Sequence, residues 1–336
     1  MASAELNSIV LKMVARHKGI LAADESTGTM TKRLDSIDVE STSDSRRQWR
    51  QLLFQTPDIG DYISGVIMYD ETIRQSNDLG MSFVELLASN DVLSGIKVDN
   101  STHDLAGAPG EFITEGLDGL RGRLVEYYKL GARFTKWRAL ITVGEGRPTD
   151  YAIRTNAHAL GRYAALCQEQ GLVPIVEPEI FMDGAHSIDD CRSATKRSLI
   201  AVFEELDAQN IALEGIVLKP NMVISGSDAP NRAQATEVAR QTVDCFLDTV
   251  PTNVPGIAFL SGGQGDEESV VNLNEINKIA NSEKLPWELT YSYGRGLQAA
   301  PLAAWLGRAE NVAAAQAAFQ KRGRDSSAAR EGVYAS

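Results

Sequence analysis

Several short stretches place ionisable side chains where an extended chain would turn them to one side. In Lys136-Trp137-Arg138 two cations sit two residues apart, and in Glu177-Pro178-Glu179 two carboxylates do. The period-two alternation of a strand puts each pair on a common face, and the same rule joins Lys97 to Asp99. Lys219 ends the apolar run Ile216-Val217-Leu218, and Pro220 prevents continuation as helix. Taken singly, each of these is a solvated rim or edge charge. Taken together they are harder to dismiss, because unpaired burial costs several kcal/mol, about 3 or more per ion, and only a mutually compensating cluster is allowed. Charges inside a fold that has no need of them point to catalysis.

The chemistry such a set can do is narrowed by what is missing. His17, His103, His158 and His186 show no HxH or HxxxH spacing, so a histidine-based metal site is not indicated. No GxSxG elbow accompanies a Ser-His-Asp set. The surviving option is a lysine nucleophile, since an amine attacks carbonyls near neutral pH when burial or a neighbouring cation favours its neutral form. Lys219 with Lys136 beside it fits that requirement, and Glu177 and Glu179 would move the protons of carbinolamine dehydration.

A scaffold must bring these groups together. Apolar, often β-branched runs recur at Gly19–Asp24, Gly65–Asp70, Gly95–Asp99, Phe134–Val143, Val173–Ile180, Gly215–Lys219, Gly256–Gly263 and Leu289–Arg295. Between them lie segments with helical apolar spacing, among them 154–170, 189–209 and 232–249. Strands alternating with helices imply a parallel sheet. Eight such units imply a closed (β/α)8 TIM barrel of one domain, spanning about residues 15–310, with its site at the C-terminal ends of the strands. An open doubly wound sheet would carry GxGxxG after its first strand, whereas the first run here leads into Asp24-Glu25-Ser26-Thr27-Gly28; no P-loop appears either. The alanine-rich stretch 298–320 predicts one or two terminal helices. Beyond Lys321 the small, polar composition predicts a mobile tail, helix and tail together covering about 311–336.

The chain of 336 residues holds 33 Lys+Arg and 45 Asp+Glu, a net charge of −12. That balance argues against general nucleic-acid binding, which needs a basic surface, and leaves phosphorylated small molecules open because a site can be locally positive. Cys167, Cys191 and Cys245 lack CxxC spacing, so the expectation is reduced thiols in or near the core of a cytoplasmic protein. No run approaches the roughly 20 apolar residues of a membrane span, and the first residues lack the pattern of a secretory leader.

The segments GILAADES (19–26), GIKVD (95–99), KWR (136–138), VEPEI (176–180), LKPNM (218–222), FLSGGQ (259–264) and SYGR (292–295) resemble, in order, those of class I fructose-1,6-bisphosphate aldolases. The resemblance covers roughly residues 10–310, nearly the whole chain. It implies reversible cleavage of fructose 1,6-bisphosphate to dihydroxyacetone phosphate and glyceraldehyde 3-phosphate, a step of glycolysis and gluconeogenesis, with no metal or other cofactor. It further implies a homotetramer acting on a small sugar bisphosphate, with no nucleic-acid or membrane partner. Another barrel lyase or isomerase acting on sugar phosphates would share the electrostatics, and a non-catalytic scaffold would be expected to have lost the nucleophile, which is present.

By the same resemblance Lys219 forms the Schiff base, Glu177 is its general acid/base, Glu179 orients the lysines, Lys136 is the neighbouring cation and Arg138 the guanidinium beside it. Asp24 acts on the C4 hydroxyl. Ser261, Gly262, Gly294 and Arg295 would hold the phosphate of the ketone half, and Ser26, Thr29 and Lys97 the far one, with Arg33 close to the substrate. Tyr334 stands near the place of a C-terminal tyrosine that takes part in proton transfer at C3, although Ala335 and Ser336 follow it here.

Overall fold

A computed structural model describes residues 2–335. Eight parallel strands close into a barrel: β1 (Gly19–Ala23), β2 (Ile63–Met68), β3 (Leu93–Lys97), β6 (Phe134–Ile141), β7 (Val173–Ile180), β8 (Val217–Leu218), β9 (Gly256–Phe259) and β10 (Glu288–Tyr293), the last returning to β1. A separate antiparallel hairpin, β4 (Thr102–Asp104) with β5 (Phe112–Thr114), stands on the loop after β3. Helices follow the strands, the long ones being Asp150–Glu169, Ile188–Ala208, Ala235–Leu247 and Asp266–Glu283. All eight runs read from the sequence are strands, shifted or shortened at their ends; the hairpin was not foreseen, its strands being only three residues each.

Strand alternation sorts the side chains into two cores. The outward parity packs beneath the helices. The inward parity, with Ile20, Ala22, Ile67, Phe134, Val173, Ile175, Val217 and Ala258, forms one cluster with Leu6, Val10 and Met13 of the helix Ala2–Met13, which closes the N-terminal mouth. Followed upward, the same parity leads from Ala22 to Asp24, from Phe134 to Lys136 and Arg138, from Ile175 to Glu177 and Glu179, and from Val217 to Lys219. An apolar floor thus carries a charged ceiling. Gly95 is required where it stands: a Cβ there would lie 2.1 Å from the Phe134 ring, which fills the space beside β3.

The terminal segment corrects one expectation. The helix Val312–Arg330 runs through the residues that composition alone assigns to a mobile tail. Their small, polar character serves contact rather than exposure. Gly323 lets the helix meet the Tyr62 ring, with room for a Cβ only 2.2 Å from it. Buried Arg322 donates to the carbonyls of Gly296 at 2.9 Å and Asp266 at 2.6 Å. Arg330, also buried, donates to Val14 O at 2.5 Å. Arginines spent on backbone carbonyls look like surface charge in a sequence.

Candidate active site

The C-terminal mouth opens into a cavity of about 630 Å³. Its wall carries Asp24, Ser26, Thr29 and Arg33 from β1 and the helix after it, Lys97 from β3, Lys136 and Arg138 from β6, and Glu177 and Glu179 from β7. Lys219, Ser261, Gly262, Gly294 and Arg295 complete it from the last three strands. Seven strand ends widely separated in sequence converge here. Glu25 and Asp99 also line the cavity, so six cations face five carboxylates and the wall is nearly neutral, at a net +1. Glu25 escaped the sequence reading because alternation from Asp24 aims it away from the interior; β1 ends at Ala23, and the rule ends with it.

At the centre, Glu177 forms ion pairs with two lysines. Its Oε1 lies 3.1 Å from Lys219 Nζ and its Oε2 3.1 Å from Lys136 Nζ. Lys136 also reaches Asp24 Oδ2 at 2.9 Å. All four side chains are buried. Burial alone would push the Asp24 carboxyl up, but the charges of Lys136, Lys219 and Lys97 outweigh it and hold Asp24 well below the usual carboxylate range. Burial alone would likewise lower Lys136; Asp24 and Glu177 outweigh that and hold it above the usual lysine value, so it is a fixed cation.

The backbone locks the position of Lys219. Lys219 N–H donates to Val176 O on β7 at 2.8 Å, continuing the ladder one residue past β8. Beyond Pro220, the buried Asn221 accepts from Ile180 N–H at 3.0 Å and donates to Thr195 Oγ1 at 3.1 Å, tying this segment to the end of the strand that bears both glutamates. Glu179 faces Arg138, as an ion pair, rather than the lysines it was expected to orient. Lys97 pairs with Asp99 and donates to its backbone carbonyl at 2.9 Å.

Two helix N-termini open on the cavity wall. Ser26 caps the helix Thr27–Asp35, its Oγ accepting from Thr29 N–H at 3.4 Å. Gly294 caps the helix Arg295–Trp305. Free N–H groups and the positive end of the helix dipole suit anions at both places. Glycine at 262 keeps the chain close to Glu179, whose Oε1 would lie 3.1 Å from a Cβ there.

Other residues are placed elsewhere. Asp70, at the end of the second run, starts the short helix Asp70–Ile73 and accepts from Arg74 and from the hydroxyl of the buried Tyr127, away from the cavity. Tyr334 is not among the residues lining the cavity. Its hydroxyl donates to Glu267 Oε1 at 2.8 Å and its N–H to Asn274 Oδ1 at 2.9 Å, and the Glu267 carboxylate pushes the phenol up to about 12. The three cysteines are free and buried, with burial pushing Cys167 up to about 12 and Cys191 to about 11. No described helix is long and apolar enough to cross a membrane.

Comparison with known proteins agrees over the whole chain. The family model for fructose-bisphosphate aldolase class-I matches residues 5–336. A probable fructose-bisphosphate aldolase class 1 of Xanthomonas campestris is 50% identical over 335 residues, 99% of each chain. The cytosolic fructose-bisphosphate aldolase 4 of Arabidopsis thaliana is 51% identical over 317 residues, 94% of this chain and 80% of that one. Among solved structures, the Plasmodium falciparum fructose-bisphosphate aldolase, crystallised with TRAP and a small-molecule inhibitor, superposes with a TM-score of 0.98. It is 45% identical, the match covering 100% of this chain and 96% of that one. With a closed barrel, a paired-lysine centre and a match across nearly every residue, this chain belongs to the class I fructose-bisphosphate aldolase family.

Proposed function

We propose that the cavity cleaves fructose 1,6-bisphosphate through a Schiff base on Lys219, the observation that carries the assignment being the Glu177 carboxylate held 3.1 Å from both Lys219 and Lys136. Lys219 Nζ gives a proton to Glu177 and, as the free amine, adds to the C2 ketone; Glu177 then passes that proton to the departing C2 hydroxyl, which leaves as water. The resulting iminium accepts the electron pair of the C3–C4 bond as Asp24 takes the C4 hydroxyl proton. Glyceraldehyde 3-phosphate departs and an enamine remains. Protonation at C3 and hydrolysis then release dihydroxyacetone phosphate and restore the amine. Lys136, charged and fixed, stays beside the nucleophile throughout, and Arg138 shares its strand face.

Ser261, Gly262, Gly294 and Arg295 hold the phosphate of the ketone half in this reading, and Ser26, Thr29 and Lys97 the other, each beside a helix N-terminus or a cation. Arg33 serves the same region. The homotetrameric assembly of the family and a cytoplasmic location, the latter in keeping with the cytosolic plant relatives, belong to the same proposal; light scattering at micromolar concentration tests the assembly. The deciding experiment is borohydride reduction with dihydroxyacetone phosphate present, followed by peptide mass mapping. Trapped mass on the peptide containing Lys219 supports the reading, and a trap on another lysine, or none, overturns it.

A further inference from the structure

Glu25 is a carboxylate on the wall of a cavity that has to take up two phosphates, and the mechanism above gives it no part. Its side chain is 7% exposed and has two arginine partners. Arg50, on the helix Ser43–Phe54, lies 2.6 Å from Glu25 Oε2 with its side chain only 2% exposed. Arg33, 25% exposed and lining the cavity, pairs with Glu25 Oε1. Gln298 adds a neutral tie: its Nε2 donates to Glu25 Oε1 at 2.8 Å and to Ala22 O at 2.7 Å, while its Oε1 accepts from Trp49 at 3.1 Å and from Arg50 at 3.4 Å. The amide is therefore fixed in orientation, and Arg50 is enclosed on every side.

We propose that Glu25 is a holding counter-ion for Arg33, and that Arg50 is the positioning residue that lets Arg33 leave Glu25 for a substrate phosphate. A buried carboxylate cannot be stripped of its only cation cheaply. If Arg33 were that cation, it would stay on Glu25 and be lost to the substrate. Arg50 removes the conflict, because it cannot reach the cavity and keeps its ion pair with Glu25 whether Arg33 is present or gone. Arg33 is thus parked in a defined place in the empty cavity and exchanges one carboxylate for a phosphate dianion, which its planar fork suits better. This inference rests on the aldolase reading for the identity of the phosphate ligand.

The test compares wild type, Arg50→Met, Glu25→Gln/Arg50→Met and Arg33→Ala by kinetics with fructose 1,6-bisphosphate and by calorimetric titration with inorganic phosphate, which needs no turnover. Arg50→Met is expected to raise both KM and the phosphate Kd about tenfold, because Arg33 becomes the only cation left for Glu25. The double variant removes the carboxylate as well, a neutral exchange that cores tolerate, and is expected to bring both values back to within about twofold of wild type. Arg33→Ala is expected to raise both by about the same tenfold in the wild-type and double backgrounds. Unchanged phosphate affinity in folded Arg50→Met, or a double variant that fails to recover, overturns the proposal. Should Arg50→Met not fold, the double variant decides alone: a tenfold loss of phosphate affinity there overturns it. Wild type that binds phosphate but neither cleaves the sugar nor traps substrate overturns the aldolase reading instead, and leaves the arginine exchange to be judged by calorimetry.

Discussion

Glu177 stands between Lys219 and Lys136 with one carboxylate oxygen 3.1 Å from each nitrogen. A single group therefore touches both Lys219 and its fixed cationic neighbour at once. It can move a proton at Lys219 without losing its anchor at Lys136, because the two contacts use different oxygens.

Replacing Glu177 by Gln keeps the shape and removes the ionisable carboxyl. We expect kcat to fall by about 10²–10⁴, with the loss in Schiff-base formation, which borohydride trapping followed over time will report. A loss confined to KM would sink the acid/base role.

Acid stability should track Asp24. Its folded-state carboxyl is held below the ordinary value of 3.8, so the folded state gives up this proton more readily than the unfolded chain. The stabilisation is complete above 3.8 and is lost as pH falls through the depressed value. Lys136 has the opposite sign: raised from 10.5, it contributes fully at neutral pH and loses its contribution only as pH rises through the raised value. Asp24→Asn should cost about 3 kcal/mol at pH 7, a penalty that shrinks as pH drops below the carboxylate range. Urea midpoints between acid and neutral pH will measure it; a penalty independent of pH would show that the charge is not the cause.

Gly95→Ala should destabilise the barrel by about 1–3 kcal/mol, since the added methyl meets the Phe134 ring. Phe134→Leu in the same chain should recover part of the loss. Thermal melts of the single and double variants test this, and additive effects would refute a shared contact.

Tyr334→Phe removes a hydrogen bond to Glu267 on the outside of the fold. Stability should change by no more than about 0.5 kcal/mol, and trapping on Lys219 should be unaffected. Exchange of the C3 proton of dihydroxyacetone phosphate, followed by NMR, should also be unchanged; a large fall would mean that Tyr334 leaves Glu267 during turnover.

Excess chelator should leave cleavage activity intact, as expected of a class whose electron sink is a protonated imine rather than a divalent ion. Activity lost to chelator and restored by a divalent cation would contradict this.

Much of the molecule was legible because strand alternation is a local property. Phe134, Lys136 and Arg138, or Ile175, Glu177 and Glu179, share a face as soon as the chain is extended, and eight apolar runs with helices between them leave few arrangements other than a barrel. The residue types at those positions limited the chemistry to a lysine and its acid/base partners. What the tertiary structure alone decided were relations between segments far apart in the chain. Glu177 bridges two lysines while Glu179 turns to Arg138. Glu25, just past the end of β1, enters the cavity against the alternation and is held by an arginine 25 residues away. The polar end of the chain is a docked helix because Arg322 and Arg330 find backbone carbonyls. Alternation needs only neighbours along the chain, whereas the pairing of a buried charge depends on which partner the closed barrel brings within about 3 Å.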